Sequence, residues 1–184
     1  MSFNQHKIWY FSAFIWGLAE ASVFFIVPDV LISFAVLKLG WRKSLSLIFF
    51  ATFGALLGVS IMYLWAKESP IAANYILNIM PGISEEMLDK FRIELTNEPL
   101  MIALLRAGLS GVPIKIAATF LPTIGIPLSY FIINAAVARL FRFFISYLIT
   151  VVFFKASNSL RESTRYLILL VFWIVFYSVY FCIN

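Results

Sequence analysis

With 62% hydrophobic residues, 12% charged residues and a mean hydropathy of +0.96 over 184 positions, the chain is too greasy for a soluble fold and reads as a single-domain integral membrane protein. Its net charge of +5 is scattered at the edges of apolar runs, not gathered into a patch, which excludes nucleic acid as a partner. One cysteine (Cys182) and one histidine (His6) exclude a disulfide framework and a thiolate or histidine metal cage; no metal or cofactor is expected.

Residues 1–7 are short and polar, and His6 is expected to be solvated ahead of the first helix. The apolar run that follows lacks an Ala-x-Ala-like exit, so no cleavable signal peptide is expected. Residues 8–18 carry Trp9, Tyr10 and Trp16, suiting a helix near the membrane interface. The run continues to Leu37 but contains Glu20 and Asp29, with Pro28 beside the latter. A carboxylate at membrane depth costs roughly 2.5–3.5 kcal/mol even on the mild insertion scale, and proline disfavours helix at the residue before it. A re-entrant hairpin over 19–38 accommodates all three, with arms at 19–27 and 30–38 and Pro28-Asp29 at its tip. Residues 38–43 then form a turn rich in Lys and Arg.

Residues 44–66 read as a full span carrying Gly54-x-x-x-Gly58, a spacing that admits a second backbone. Residues 67–99 form a polar loop with one amphipathic helix. Ser84 caps it, Glu85 and Glu86 occupy its first turn, and Met87, Leu88, Phe91 and Leu95 line one face. The stretch 100–128 repeats the opening pattern, its apolar arms broken by Arg106, Gly108, Gly111, Pro113, Lys115, Pro122 and Pro127. Irregular backbone at depth is tolerated where it is buried in protein or lines a cavity, so a second re-entrant hairpin with Pro113 at its tip is expected. Residues 129–154 form the next span, with Arg139 and Arg142 inside it, and 155–165 a basic loop. Residues 166–183 form a last, uncharged span with a purely structural part.

On this layout one side collects Lys7, Lys38, Arg42, Lys43, Lys155, Arg161 and Arg165, and the other Lys67, Lys90 and Arg92 among six acids. The asymmetry makes the first side cytoplasmic, with the N-terminus inside and the C-terminus outside. The hairpins then enter from opposite faces. Gly54 follows Pro28 by 26 residues and Arg139 follows Pro113 by 26, the spacing of an inverted repeat with a binding site near the midplane.

Six ionisable residues remain inside: Glu20, Asp29, Arg106, Lys115, Arg139 and Arg142. Four cations against two acids leave a surplus that an anionic guest would neutralise. Arg139 and Arg142 share a helix face at i, i+3, and the guanidinium fork suits phosphate. A site for the anionic phosphate headgroup of a membrane lipid competes here with salt bridges that only lock the hairpins. Glu20 or Asp29 is a candidate for taking up a proton. Gly108-Leu109-Ser110-Gly111 resembles the serine motif of rhomboid proteases, but His6 is too remote to serve as its base, so no enzyme is expected.

Glu20, Val27-Pro28-Asp29 and Gly54-x-x-x-Gly58 followed by Tyr63 resemble the first half of the DedA family, the VTT or SNARE-associated membrane domain. Gly111-Val112-Pro113-Ile114-Lys115 and Arg139-Leu140-Phe141-Arg142-Phe143 resemble its second half, in the Pro-x-Lys form of the YqaA-like branch. The chain departs from the pattern at Ile114, where the family has an aromatic, and at Thr119-Phe120-Leu121-Pro122, where it has an Ala-Gly pair. The resemblance implies an all-α protein of two facing re-entrant hairpins and about three full transmembrane helices. It further implies a flippase or scramblase of phospholipid or undecaprenyl phosphate in the bacterial cytoplasmic membrane, coupled to protons in some members. Glu20, Asp29, Lys115, Arg139 and Arg142 would carry the family's charges; Arg106 is added by the internal repeat. A proton- or ion-coupled carrier of a small solute and a non-transporting scaffold are the alternatives, and a homo-oligomer is compatible with any of them.

Overall fold

The protein, as a computed structural model, is described over residues 3–183, and its side chains over residues 7–182. Every element among the described residues is helical. The first helix, α1 (Phe3–Glu20), is followed by a non-helical turn at 21–28, then α2 (Asp29–Leu39) and α3 (Trp41–Glu68). Tyr10 of α1 stacks on Phe50 of α3, Phe14 meets Phe53, and Ala21 reaches Gly58. These pairs advance together along both helices, so α1 and α3 run parallel and the chain has doubled back through α2 between them.

The doubling back occurs in a different register from the sequence expectation. The first arm is the whole of α1, not residues 19–27, and the turn is centred on Phe24, not on Pro28-Asp29. The amides of Ser22, Val23 and Phe24 all converge on the Ala19 carbonyl (3.1, 2.9 and 2.7 Å), closing α1 at Glu20. Val27 precedes a proline and is steered out of the helical region. Pro28 is therefore the buried residue that starts α2, needing no amide partner there. His6 lies within α1 and not ahead of it; its side chain falls outside the described residues.

The region expected as a polar loop holds two helices, α4 (Pro70–Ile79) and α5 (Glu85–Asn97). The amphipathic helix is α5, capped as expected by Ser84 Oγ accepting from the Met87 amide at 3.3 Å. The sequence reading missed α4, although Pro70 at its first turn and buried Ala73 and Leu77 mark it. Next come α6 (Leu100–Ser110), a break at Gly111 with φ 87°, the short α7 (Ile114–Phe120) and a 3₁₀ turn (Leu121–Ile124). The chain ends in α8 (Leu128–Ala156) and α9 (Glu162–Ile183).

Among the described residues three helices, α3, α8 and α9, are long and apolar enough to cross a membrane. At one end of the α3–α8 contact Tyr63 stacks on Phe131, and at the other the Tyr147 hydroxyl donates to the Trp41 carbonyl at 2.6 Å. Those pairs run in opposite order, so α3 and α8 are antiparallel. Both apolar cores touch this pair: one gathers α1 and α2, the other α5, α6 and α7. By contrast α9 is exposed along nearly its whole length, as an apolar helix against lipid would be.

The expected glycine seam has a definite partner. A Cβ on Gly54 would overlap the Phe14 carbonyl, and one on Gly58 the Leu18 carbonyl, so α1 lies directly on α3. Gly108 has nothing nearer than 3.9 Å. Gly54→Ala is expected to destabilise the protein by about 1–3 kcal/mol through overpacking, whereas Gly108→Ala leaves stability unchanged or slightly raised. Equilibrium unfolding in mixed micelles checks both.

Candidate functional site: a buried charge layer beside an open cleft

The two breaks in helix, at 21–28 and 111–113, come together. Phe24 and Val27 from the first and Gly111 and Pro113 from the second line one cleft. It is narrow, with a cavity volume of about 30 Å³, and open at its mouth, with Glu20, Lys115 and Arg142 on its wall. Of the two prolines expected at hairpin tips, Pro113 lines the cleft, whereas Pro28 is buried and does not.

Four charges sit behind the turn in two pairs. Arg139 Nη2 donates to Glu20 Oε1 at 3.0 Å, and Arg142 Nε donates to Asp29 Oδ2 at 3.3 Å. Glu20, Asp29 and Arg139 are each at most 3% exposed. Asp29 opens α2, where the positive end of the helix dipole favours a carboxylate. Glu20 closes α1, where the dipole opposes it, so Arg139 is the group that stabilises it. Lys115, in the first turn of α7, also stands at the unfavourable end of its helix. It is 2% exposed, and its ammonium donates to the Phe24 carbonyl at 2.6 Å. Among the described residues no carboxylate lies within ion-pairing distance of it.

Five of the six expected site residues are therefore gathered in one place, and the sixth is not. Arg106 is 58% exposed and pairs with Glu98 at 3.0 Å and Glu94 at 3.6 Å, on the surface of α5 and α6. The stretch 94–98 offered it nearby acids on the polar side, and the repeat argument overlooked them. Without Arg106 the layer holds three cations and two acids.

The pairing is incomplete at the atomic level. Glu20 Oε2, Asp29 Oδ1, and Nε and Nη1 of Arg139 are buried with no partner among the described residues. Buried polar groups normally find partners, so this cluster retains hydrogen-bonding capacity on both acids and on Arg139. Such an arrangement can bind an oxyanion or pass a proton. Among the described residues no group of three His, Cys, Asp or Glu could hold a metal ion. Ser110 Oγ donates to the Ala107 carbonyl in its own helix.

Reading the last span as purely structural missed three side chains. Trp173 Nε1 donates to Ser33 Oγ (2.9 Å), the Val27 amide donates to the Tyr177 hydroxyl (2.8 Å), and the Tyr180 hydroxyl donates to the Gly82 carbonyl (2.8 Å). Their 173-177-180 spacing on one face of α9 was the available signal. Trp16 likewise donates to the Ile26 carbonyl at 2.8 Å, so the turn is held by side chains from α1, α7 and α9.

Set against family models, curated proteins and solved structures, the chain gives no match. The resemblance to the DedA family rests on the motifs quoted above.

The ion pairs give a direct test. Glu20→Gln or Arg139→Gln alone strands a buried charge and is expected to cost about 3–5 kcal/mol. The apolar double Glu20→Leu with Arg139→Met is expected to be more stable than either single variant. Arg106→Ala should stay within about 1 kcal/mol of the unaltered chain. Unfolding in mixed micelles reads all four.

Proposed function

We propose that the protein is a lipid transporter of the flippase or scramblase kind, built on the DedA plan and seated in the bacterial cytoplasmic membrane with its N-terminus inside. Its cargo on this reading is a phosphate-bearing lipid such as a phospholipid or undecaprenyl phosphate. The two doubled-back segments act as re-entrant hairpins from opposite faces, related as an inverted repeat, and the charge layer lies at the midplane. The observation that carries the reading is Lys115: a buried cation beside an open cleft, held by a carbonyl and not by a carboxylate. A phosphate oxygen offers it a stronger, charge-assisted bond than the Phe24 carbonyl. Exchange of one for the other lets the headgroup enter the protein while the acyl chains stay in lipid at the open mouth.

The scaffold reading draws support from the one-to-one pairing of Glu20 with Arg139 and Asp29 with Arg142. It gives Lys115 only the Phe24 carbonyl to hold, a bond that does not require a full charge beside a cleft.

Translocation of fluorescent phospholipid in proteoliposomes, read by quenching from outside, decides between them. The unaltered protein should raise the rate well above that of empty vesicles. Lys115→Met should lower it about tenfold, the weight of one hydrogen bond to a charged group, with no loss of folded protein. A rate equal to that of empty vesicles refutes transport of that lipid, and a Lys115→Met rate equal to that of the unaltered protein removes Lys115 from the path.

A further inference from the structure

Tyr177 stands out in the wall of the cleft because its hydroxyl is bonded in an unusual sense. It accepts the Val27 amide at 2.8 Å, and no acceptor for its own hydrogen is found among the described residues. An N–H on one lone pair turns the O–H away from Val27. Tyr177 lines the cleft together with Lys115, Arg142 and Glu20, and lies within electrostatic reach of Asp29, Arg142 and Glu20. Accepting one hydrogen bond also polarises a hydroxyl toward donating another.

The hydroxyl is not needed to hold the helix in place. On either side of it, four residues before and three after, Trp173 ties α9 to Ser33 and Tyr180 ties it to Gly82. The Tyr177 ring packs against Trp173, Phe176 and Phe181. Position and orientation are therefore fixed by neighbours, and the phenolic hydrogen is spare.

We infer that Tyr177 is a substrate-positioning donor, presenting its O–H to an oxygen of the same phosphate group that engages Lys115. This rests on the transport reading above. The ligand chemistry is an oxyanion with at least two free oxygens in reach, one for the ammonium of α7 and one for the hydroxyl of α9. The last helix then becomes part of the binding site instead of an anchor beside it.

Calorimetric titration of the full chain in nanodiscs with dihexanoyl phosphatidate, and in parallel with inorganic phosphate, tests the inference. Tyr177→Phe keeps the ring and loses the donor. O-methyltyrosine at position 177 keeps an oxygen for the Val27 amide and replaces the donor hydrogen with a methyl group. Both should weaken phosphatidate binding about tenfold, as expected for a hydrogen bond to a charged group. Ser33→Ala, which removes the partner of the Trp173 tie and leaves the rings around Tyr177 in place, should leave affinity within about twofold, because Ser33 lies outside the cleft. Unaltered affinity in Tyr177→Phe overturns the inference, as does an equal loss in Ser33→Ala, which would make the ties of α9, and not the Tyr177 donor, the cause of the loss. Phosphatidate that fails to bind the unaltered protein refutes the transport reading and this inference together. Equal binding of inorganic phosphate supports the donor and makes its ligand a free anion.

Discussion

The ion pair between Glu20 and Arg139, 3.0 Å long and shut away from solvent, is the constraint on which the rest depends. Glu20 ends α1 at the wrong pole of its dipole, and Arg139 sits mid-way along a helix long enough to span a bilayer. Neither charge is tolerable alone in an apolar setting. Together they fix where α1 must stop, and hence where the chain leaves helix and doubles back. The second pair, Asp29 with Arg142, fixes where α2 begins. Turn 21–28 is thus bracketed by two bonds to adjacent turns of α8.

Buried ion pairs seldom stabilise more than well-packed apolar groups of the same volume. What these pairs supply is position. They hold a stretch of irregular backbone whose carbonyls face inward, so that Lys115 can reach the Phe24 carbonyl from the other break in helix. A frame of antiparallel α3 and α8 carries both halves, and glycines on α3 bring α1 close enough for Glu20 to reach α8. The loosely packed α9 closes one wall of the cleft with aromatic side chains.

Much of this was legible in the sequence where physics leaves few options. Charges inside apolar runs had to find partners: Glu20 met Arg139, Asp29 met Arg142, and Lys115 met the Phe24 carbonyl. Gly54 and Gly58 announced a close backbone contact, and Ser84 announced a cap. The long spans came within a few residues of α3, α8 and α9. Failures came where local signals compete. Pro28 was read as a tip because proline breaks helices, but it equally starts them, and the real break is set by amides converging on Ala19. Arg106 was placed inside by analogy between halves, when Glu94 and Glu98 stood six and two residues before the start of its helix on the polar side. Tyr177 was passed over because an uncharged aromatic face reads as lipid contact until its neighbours are known.

The central claim, that both breaks in helix meet at the middle of the bilayer, is tested most directly by the depth of two residues beside them. Val23 is 68% exposed and Leu109 is 60% exposed, so each can carry a spin label without disturbing the core. Relative accessibility to oxygen and to a water-soluble nickel chelate reports depth for each label in turn. The account requires both labels to lie near the bilayer centre, at matching depths. Either label reporting headgroup depth would contradict it.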